Sequence, residues 1–201
     1  IIEGIRNSSG GCFDKIMIET QINEKLDKTR FLGVGNPSES GPHLLYLFRQ
    51  ENNLFTSSFI SMDEAFYYEI LNGNGQVRLR NPNIENYIFI DDFCGSGTQA
   101  KDRLKDYVEL LKHLKSDCRC CYYCLVGTLE GLELVRTQTK LDFVEAVIEL
   151  DNSFKIFSDD SRILIDEEDV DRKPTLKAIC DDFAQHFGIN APYGFSDGEQ
   201  L

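Results

Sequence analysis

The second half of the chain alternates between short apolar runs and longer stretches with helical spacing, and this rhythm constrains the fold most. The apolar runs span residues 87–90, 122–126 and 143–150, and the helical stretches between them span 98–114 and 128–139. Strand, helix, strand, helix, strand in this order predicts a parallel sheet with right-handed crossovers. We therefore expect an α/β fold with a twisted, mostly parallel central sheet of about five strands, flanked by helices.

Helices are also predicted in the first half, where apolar residues again recur at helical spacing. One of them begins at the capping box Ser61-x-x-Glu64 and is expected to end at the Asn-Gly-Asn-Gly run of residues 72–75. A loop over residues 33–42, rich in Gly, Pro and Ser, separates the other two. The three predicted helices span residues 13–28, 43–50 and 61–71.

The end of the chain predicts a closing helix over residues 174–187. Pro174 stands near its start and Gly188 just past its end, an asymmetry typical of helix termini. The acidic run before it, within residues 166–171, is expected to be a solvated turn. No repeat or linker interrupts the sequence, so we expect one domain over residues 1–201, with a helical N-terminal extension and a C-terminus cut short at a closing strand.

The charge disfavours two classes of partner. The chain has 21 Lys and Arg against 34 Asp and Glu, a net charge of −13, and no basic run. Unaided nucleic-acid binding and adhesion to anionic membranes both need clustered basic residues, and no apolar run approaches the ~18 residues of a membrane span. A small anionic ligand is still compatible with this charge, because backbone N–H groups at a helix terminus bind phosphate without basic side chains.

The most informative segment follows the first strand of the alternation. The strand ends in two carboxylates, and a loop of small residues leads into a helix; ligands of open α/β sheets bind at such strand ends. Glycines let successive N–H groups converge, and the positive helix end points into the same space. A plain turn is the alternative, but two adjacent acids are costly to bury unpaired. The segment predicts a sugar-phosphate site at Asp91, Asp92, Cys94, Gly95, Ser96, Gly97, Thr98 and Gln99.

This segment resembles the phosphoribosyl-diphosphate-binding motif of type I phosphoribosyltransferases. The resemblance implies that Asp91 and Asp92 are catalytic, hold the ribose hydroxyls and bind Mg²⁺. It implies that residues 94–99 cradle the 5′-phosphate. It also places Glu130 and Gly131, in the turn after the next strand, on the side of the acceptor.

More closely, the chain resembles the phosphoribosyltransferase-like domains of bacterial conflict systems, including retron-associated effectors. Besides the Asp91–Gln99 motif, the segments Ser40–Tyr46 and Pro192–Phe195 are similar to that group. The resemblance implies an effector or toxin in antiphage defence and a protein partner from the same system. The crowded, odd set of 7 Cys differs from a secreted disulfide scaffold and predicts a reducing, cytoplasmic location.

The chain departs from the family pattern in ways that leave its activity open. Gly95 stands where purine-transferring members that use a carboxylate as general base carry Asp, and Gln99 stands where many relatives carry Thr. No basic residue marks a diphosphate loop; its candidate residues, Ser38, Ser40 and Gly41, offer only backbone and hydroxyl donors. A non-catalytic sensor of a nucleotide metabolite, or a module held by a partner, is therefore the alternative to an enzyme.

Two further interpretations remain. The glycine motif also resembles the S-adenosylmethionine-binding motif of DNA amino-methyltransferases, but Asn190-Ala191-Pro192-Tyr193 lacks the first Pro of that family's second motif, and the acidic charge fits DNA poorly. The cluster Cys118-x-Cys120-Cys121-x-x-Cys124 could suit zinc. However, Cys121 and Cys124 are predicted strand residues on opposite faces, so free thiols are the expectation.

Overall fold

The computed structural model describes residues 15–35, 40–164 and 167–193. Its strands are β1 (Thr29–Gly33), β2 (Phe66–Leu71), β3 (Asn74–Leu79), β4 (Asn86–Cys94), β5 (Arg119–Thr128) and β6 (Phe143–Leu150). Its helices are α1 (Lys15–Asp27), α2 (Ser40–Glu51), α3 (Thr98–Leu114), α4 (Leu129–Gln138) and α5 (Glu167–Phe187). The predicted alternation of strands and helices is confirmed over β4–α3–β5–α4–β6.

A parallel sheet in the order β1-β4-β5-β6 forms the centre of the fold, and β2 and β3 form a separate antiparallel hairpin. The α/β class is confirmed, with four strands in the described sheet where about five were expected. Strand β4 is central because it pairs with β1 on one side and β5 on the other. Its carboxyl end, where Asp91 and Asp92 lie, is therefore flanked by two further strand ends.

The core lies between the sheet and helices α3 and α4. Leu104, Val108 and Leu111 of α3 are fully buried, as their helical spacing predicts. They meet the side chains of Phe89 and Tyr122, which are neighbours in the register of β4 and β5 and are also fully buried. Cys120 and Cys124 of β5 belong to this core, and Cys121, on the other face of the strand, is also buried.

The prediction of a helix over residues 61–71 is wrong. The capping box between Ser61 and Glu64 forms, but it caps only the short 3-10 helix Met62–Ala65. The following aromatic and β-branched residues favour a strand, and they pair with β3 across a turn at Asn72 and Gly73. Both turn residues have positive φ, as two-residue hairpin turns of this kind require.

Other boundaries also differ from the expectation. Strand β1 was missed because it is only five residues long and follows α1 with a single residue between them. Helix α2 begins at Ser40, so the loop predicted over 33–42 is shorter than expected. Helix α5 begins at Glu167 and contains Pro174, so most of the acidic run is helical rather than a turn. Gly188 follows its end with a φ of +66°, as predicted.

Within the described residues, none of the helices has the length and apolar character needed to cross a membrane.

Candidate functional site

A short glycine loop joins the end of the central strand to helix α3. Strand β4 ends at Cys94 and α3 begins at Thr98, and Gly97 precedes the helix in a left-handed conformation with a φ of +73°. Because the N-cap residue of α3 is this glycine, the helix has no N-cap side chain to accept from its first N–H groups. The loop borders an open cavity of about 430 Å³ lined by Asp91, Phe93, Cys94, Gly95, Ser96, Gly97, Thr98, Gln99 and Ala100.

The glycine loop is held against the turn between β5 and α4. The Thr128 hydroxyl donates to the Gly95 carbonyl at 2.6 Å and accepts from the Gly131 N–H at 3.0 Å, so one side chain caps α4 and ties down the loop. Backbone packs on backbone beside this bond. A Cβ added to Gly97 would overlap the Gly131 carbonyl, and one added to Gly131 would overlap the Gly95 carbonyl. The conformation of the loop is thereby set before any ligand arrives.

Hydroxyl groups add donors to the loop. Ser96 Oγ donates to Thr98 Oγ1 at 3.2 Å and accepts from the Thr98 N–H at 3.4 Å, both long bonds. Long bonds of this kind are easily exchanged for bonds to a stronger acceptor such as a phosphate oxygen. The loop therefore combines amide and hydroxyl donors around one cavity, the donor set expected for a phosphate.

Asp91 is a carboxyl group held in a partly buried position. Its Oδ2 accepts from the Tyr122 hydroxyl at 3.0 Å, and its Oδ1 accepts from the Asp92 N–H at 3.0 Å. Burial raises the pKa of Asp91 from 3.8 to about 7, and the two hydrogen bonds oppose that shift. Near neutral pH the group is therefore poised between carboxylate and acid.

Asp92 follows Asp91 in the strand, but its side chain makes different contacts. Its Oδ1 accepts from the N–H of the next residue, Phe93, at 2.9 Å. This local bond fixes the side chain near the strand end. Although Asp91 and Asp92 are neighbours in sequence, only Asp91 lines the cavity of the glycine loop.

Cys94 is the first residue of the predicted phosphate cradle, and its side chain packs in the core. It is almost fully buried, and the neighbouring Cys124 thiol lowers its pKa while burial opposes that effect. The pKa of Cys124 is raised, chiefly by the same contact.

In the cysteine cluster of residues 118–124, the sulfur atoms of Cys118 and Cys120 lie 3.9 Å apart. Both are free thiols, as are Cys121 and Cys124.

The two residues predicted on the acceptor side, Glu130 and Gly131, lie in the turn that packs against the glycine loop. Gly131 contacts it directly, and Glu130 forms an ion pair with Lys155, which follows β6. This pair lines a small cavity of about 50 Å³ together with Phe93 and Thr128. The sequence pattern did not single out Lys155 or Tyr122, because each reaches the site only through the pairing of strands distant in sequence.

The candidate diphosphate loop is only partly described. Ser38 lies outside the described residues, and Ser40 and Gly41 belong to the first turn of α2. Val34, which follows β1, lies beside the site, because its N–H donates to the carbonyl of Ile90, one residue before Asp91. The role of Ser38, Ser40 and Gly41 as donors to a diphosphate stays a prediction.

Among the described residues, no three His, Cys, Asp or Glu side chains cluster closely enough to hold a metal ion alone. Within the part of the chain that the structure describes, no Lys or Arg lines the cavity of the glycine loop. Attraction for an anion there depends on oriented amides and the helix terminus rather than on basic side chains.

A parallel sheet with a glycine loop after its central strand defines a Rossmann-like α/β fold. The family model PRTase-CE matches residues 1–201, so the chain belongs to the PRTase-CE family and has a phosphoribosyltransferase-like fold. No curated protein sequence matches the chain.

Three solved structures are similar at low identity. The Helicobacter pylori xanthine-guanine-hypoxanthine phosphoribosyltransferase is 10% identical, covering 66% of this chain and 88% of that one, with a TM-score of 0.34. The Aeropyrum pernix orotate phosphoribosyltransferase is 16% identical, covering 71% and 83%, with a TM-score of 0.33. The Trypanosoma brucei adenine phosphoribosyltransferase is 13% identical, covering 69% and 66%, with a TM-score of 0.36.

Proposed function

We propose that the chain binds phosphoribosyl diphosphate, or a related ribose phosphate, at the end of β4. The observation that carries this proposal is the cavity of about 430 Å³ that runs from Asp91 along the whole glycine loop to Ala100. Its lining offers the Asp91 carboxyl group for ribose hydroxyls, and the amides and hydroxyls of the glycine loop for a phosphate.

The glycine loop is preorganised to bind the phosphate. Thr128 and the contact between Gly97 and Gly131 hold the loop, so little conformational entropy is lost when a phosphate binds. At the ribose end, Asp91 accepts hydrogen bonds from hydroxyls once it is ionised. Binding is therefore expected to strengthen as the pH rises through about 7, the pKa of Asp91.

The residues fit a magnesium ion that is shared with the ligand. Mg²⁺ typically takes one or two carboxylates and completes its shell with water and substrate phosphates. Asp91 and Asp92 are the carboxylates that would hold it here. When bound, Mg²⁺ would neutralise charge on the diphosphate.

If the chain is an enzyme, the reaction is a displacement at the anomeric carbon of the ribose. The bond from that carbon to the diphosphate oxygen breaks, a bond to the acceptor forms, and the acceptor loses its proton. Asp91 and Asp92 would orient the ribose and stabilise the positive charge that develops on its ring. The loop would hold the 5′-phosphate in place.

A binding module without catalysis is the second candidate. Asp91 and Cys94 are the ionisable residues among those lining the cavity, so the loop itself supplies no carboxylate to take the acceptor's proton. A module of this kind would sense a nucleotide metabolite, or act as an effector held by a protein partner in bacterial antiphage defence. The departure at Gly95 and the resemblance of the chain to conflict-system domains support this reading.

One assay separates these candidates. The protein is mixed with phosphoribosyl diphosphate and Mg²⁺, and both binding and diphosphate release are measured. Release that Asp92→Ala abolishes supports the enzyme, and binding without release supports the module. Asp117→Ala is the control, since Asp117 is an exposed acid beside the opposite end of β5. Absence of binding, with S-adenosylmethionine bound instead, would overturn both in favour of a methyltransferase.

A further inference from the structure

A second and larger cavity lies at the carboxyl end of β1, and we call it the β1 cavity. Its volume is about 860 Å³, and it shares no lining residue with the cavity of the glycine loop. This volume lies within the range of about 300–1,000 Å³ typical of small-molecule sites. It is lined by Gly33, Gly35, Leu45, Tyr46, Arg49, Thr56, Phe59, Ile60, Ser61, Met62, Asp63 and Arg103.

One wall of the β1 cavity is held in place by contacts with β1 and with α3. Phe59 stacks on Phe31 of β1, with ring centroids 5.1 Å apart, and the next residue, Ile60, donates its N–H to the Phe31 carbonyl at 3.1 Å. Beyond them, the Tyr107 hydroxyl of α3 donates to the Met62 carbonyl at 2.8 Å. The segment that forms this wall is therefore tied to both the sheet and α3.

Two arginines from different helices reach the cavity. Arg49 lies near the end of α2 and Arg103 lies in α3, and Asp63 is the carboxylate among the lining residues. In a chain with a net charge of −13, an excess of positive charge in one cavity is a local departure from the overall balance. Guanidinium groups are well suited to phosphate, because their planar donors match its oxygens.

Aromatic surface accompanies this charge. The side chain of Tyr46 is 51% exposed, and its hydroxyl accepts from Gln50 at 2.7 Å, which orients the ring. The guanidinium carbon of Arg49 lies 5.6 Å from the centre of this ring. Phe59 adds a second ring to the lining. A flat aromatic group could stack here within reach of a cation.

From these features we propose that the β1 cavity is a second binding site, and that its ligand is a nucleoside phosphate. The base would lie against Tyr46 and Phe59, and the phosphate would meet Arg49 and Arg103. The hydroxyl of Thr56 offers a further polar contact for the sugar. This site shares no lining residue with the ribose-phosphate site at the glycine loop, so neither ligand is expected to displace the other.

The experiment titrates AMP into the protein by calorimetry, with adenosine and inorganic phosphate as partial ligands. Arg49→Gln is expected to weaken AMP binding about tenfold or more, because a charge-assisted hydrogen bond is lost. Tyr46→Ala should weaken AMP and adenosine alike. Arg119→Gln is the matched control: Arg119 also lies over an aromatic ring, that of Phe143, but at the amino end of β5.

Competition identifies the site. AMP carries a ribose 5′-phosphate and could enter the glycine loop instead, so the titration is repeated with saturating ribose 5-phosphate and in Gly97→Ala. Unchanged AMP affinity in both supports the β1 cavity. Loss of AMP binding in both, with Arg49→Gln and Tyr46→Ala unaffected, overturns it, as does an absence of AMP binding at millimolar concentration. If ribose 5-phosphate fails to bind while AMP behaves as expected, only the proposed function fails.

Discussion

Two glycine turns in this molecule share a backbone conformation and differ in everything around them. Gly97, before α3, has a φ of +73°, and Gly73, in the β2–β3 hairpin, has a φ of +78°. Gly97 packs against the backbone of Gly131, whereas a Cβ added to Gly73 would meet no atom within 4 Å. A glycine with positive φ is thus part of a tightly packed loop at Gly97, whereas at Gly73 it only reverses the direction of the chain.

The surroundings of the two turns explain the difference. The glycine loop lies at the end of a central strand, between two helices that cover one face of the sheet. The hairpin extends away from the core, and Tyr68 and Ile70 near its tip are 67% and 69% exposed. Preorganisation comes from the packing of a turn against a second element, not from the turn residues themselves.

The largest effect is expected for the two matched glycine substitutions. Gly97→Ala adds both backbone strain and an overlap with the Gly131 carbonyl, and should lower the free energy of unfolding by about 3–4 kcal/mol. Gly73→Ala adds strain alone, at about 1 kcal/mol. Urea denaturation of both variants measures the difference. Equal losses would show that the contact with Gly131 contributes nothing.

Replacing Asp91 tests the buried carboxyl group. The folded-state pKa of Asp91 is about 7, above the unfolded value of 3.8, so the folded protein holds more protons between these values and stability falls as the pH rises through them. Asp91→Asn removes this dependence. It should exceed the wild type by about 3 kcal/mol at pH 6, where only the unfolded carboxyl group is ionised, and nearly match it at pH 4. Denaturation at both pH values measures this, with Asp117→Asn as control; a difference that does not vary with pH would contradict it.

A smaller effect is expected from the hydroxyl that joins the loop to α4. Thr128→Val keeps the shape of the side chain but loses the bonds to Gly95 and Gly131, at a cost of about 1–2 kcal/mol. Thr137→Val, which removes an exposed hydroxyl bond within the same helix, should cost at most about 0.5 kcal/mol. Thermal unfolding of the pair compares them. Weaker ribose 5-phosphate binding should accompany the first substitution and not the second.

The smallest effect belongs to the hairpin. Tyr68→Ser removes a largely exposed ring, and the free energy of unfolding should change by no more than about 0.5 kcal/mol. Chemical denaturation provides the measurement. A loss of more than about 2 kcal/mol would mean that the hairpin is as tightly integrated as the glycine loop, and the contrast between the two regions would not hold.

Much of the fold could be predicted because periodicity is a local property. The face of α3 that carries Leu104 and Val108 follows from helical spacing, and β6 follows from an apolar run of strand length. The β2–β3 hairpin could not be predicted in the same way. The capping box before it is a local signal, but it stabilises only the single turn Met62–Ala65. The residues after that turn pair with β3 instead of continuing the helix.

The sequence by itself determined the strand, the paired acids and the glycine loop, because these are consecutive residues whose order places them at one strand end. Only the tertiary structure decided how they are held. Tyr122 reaches Asp91, and Gly131 reaches Gly97, through the pairing of β4 with β5, which brings together residues about thirty positions apart. The same holds for the β1 cavity, where Arg49 and Arg103 converge from helices that no short motif connects. Local propensity acts over a few residues, whereas burial and packing act between elements, so the chemistry of a site depends on both.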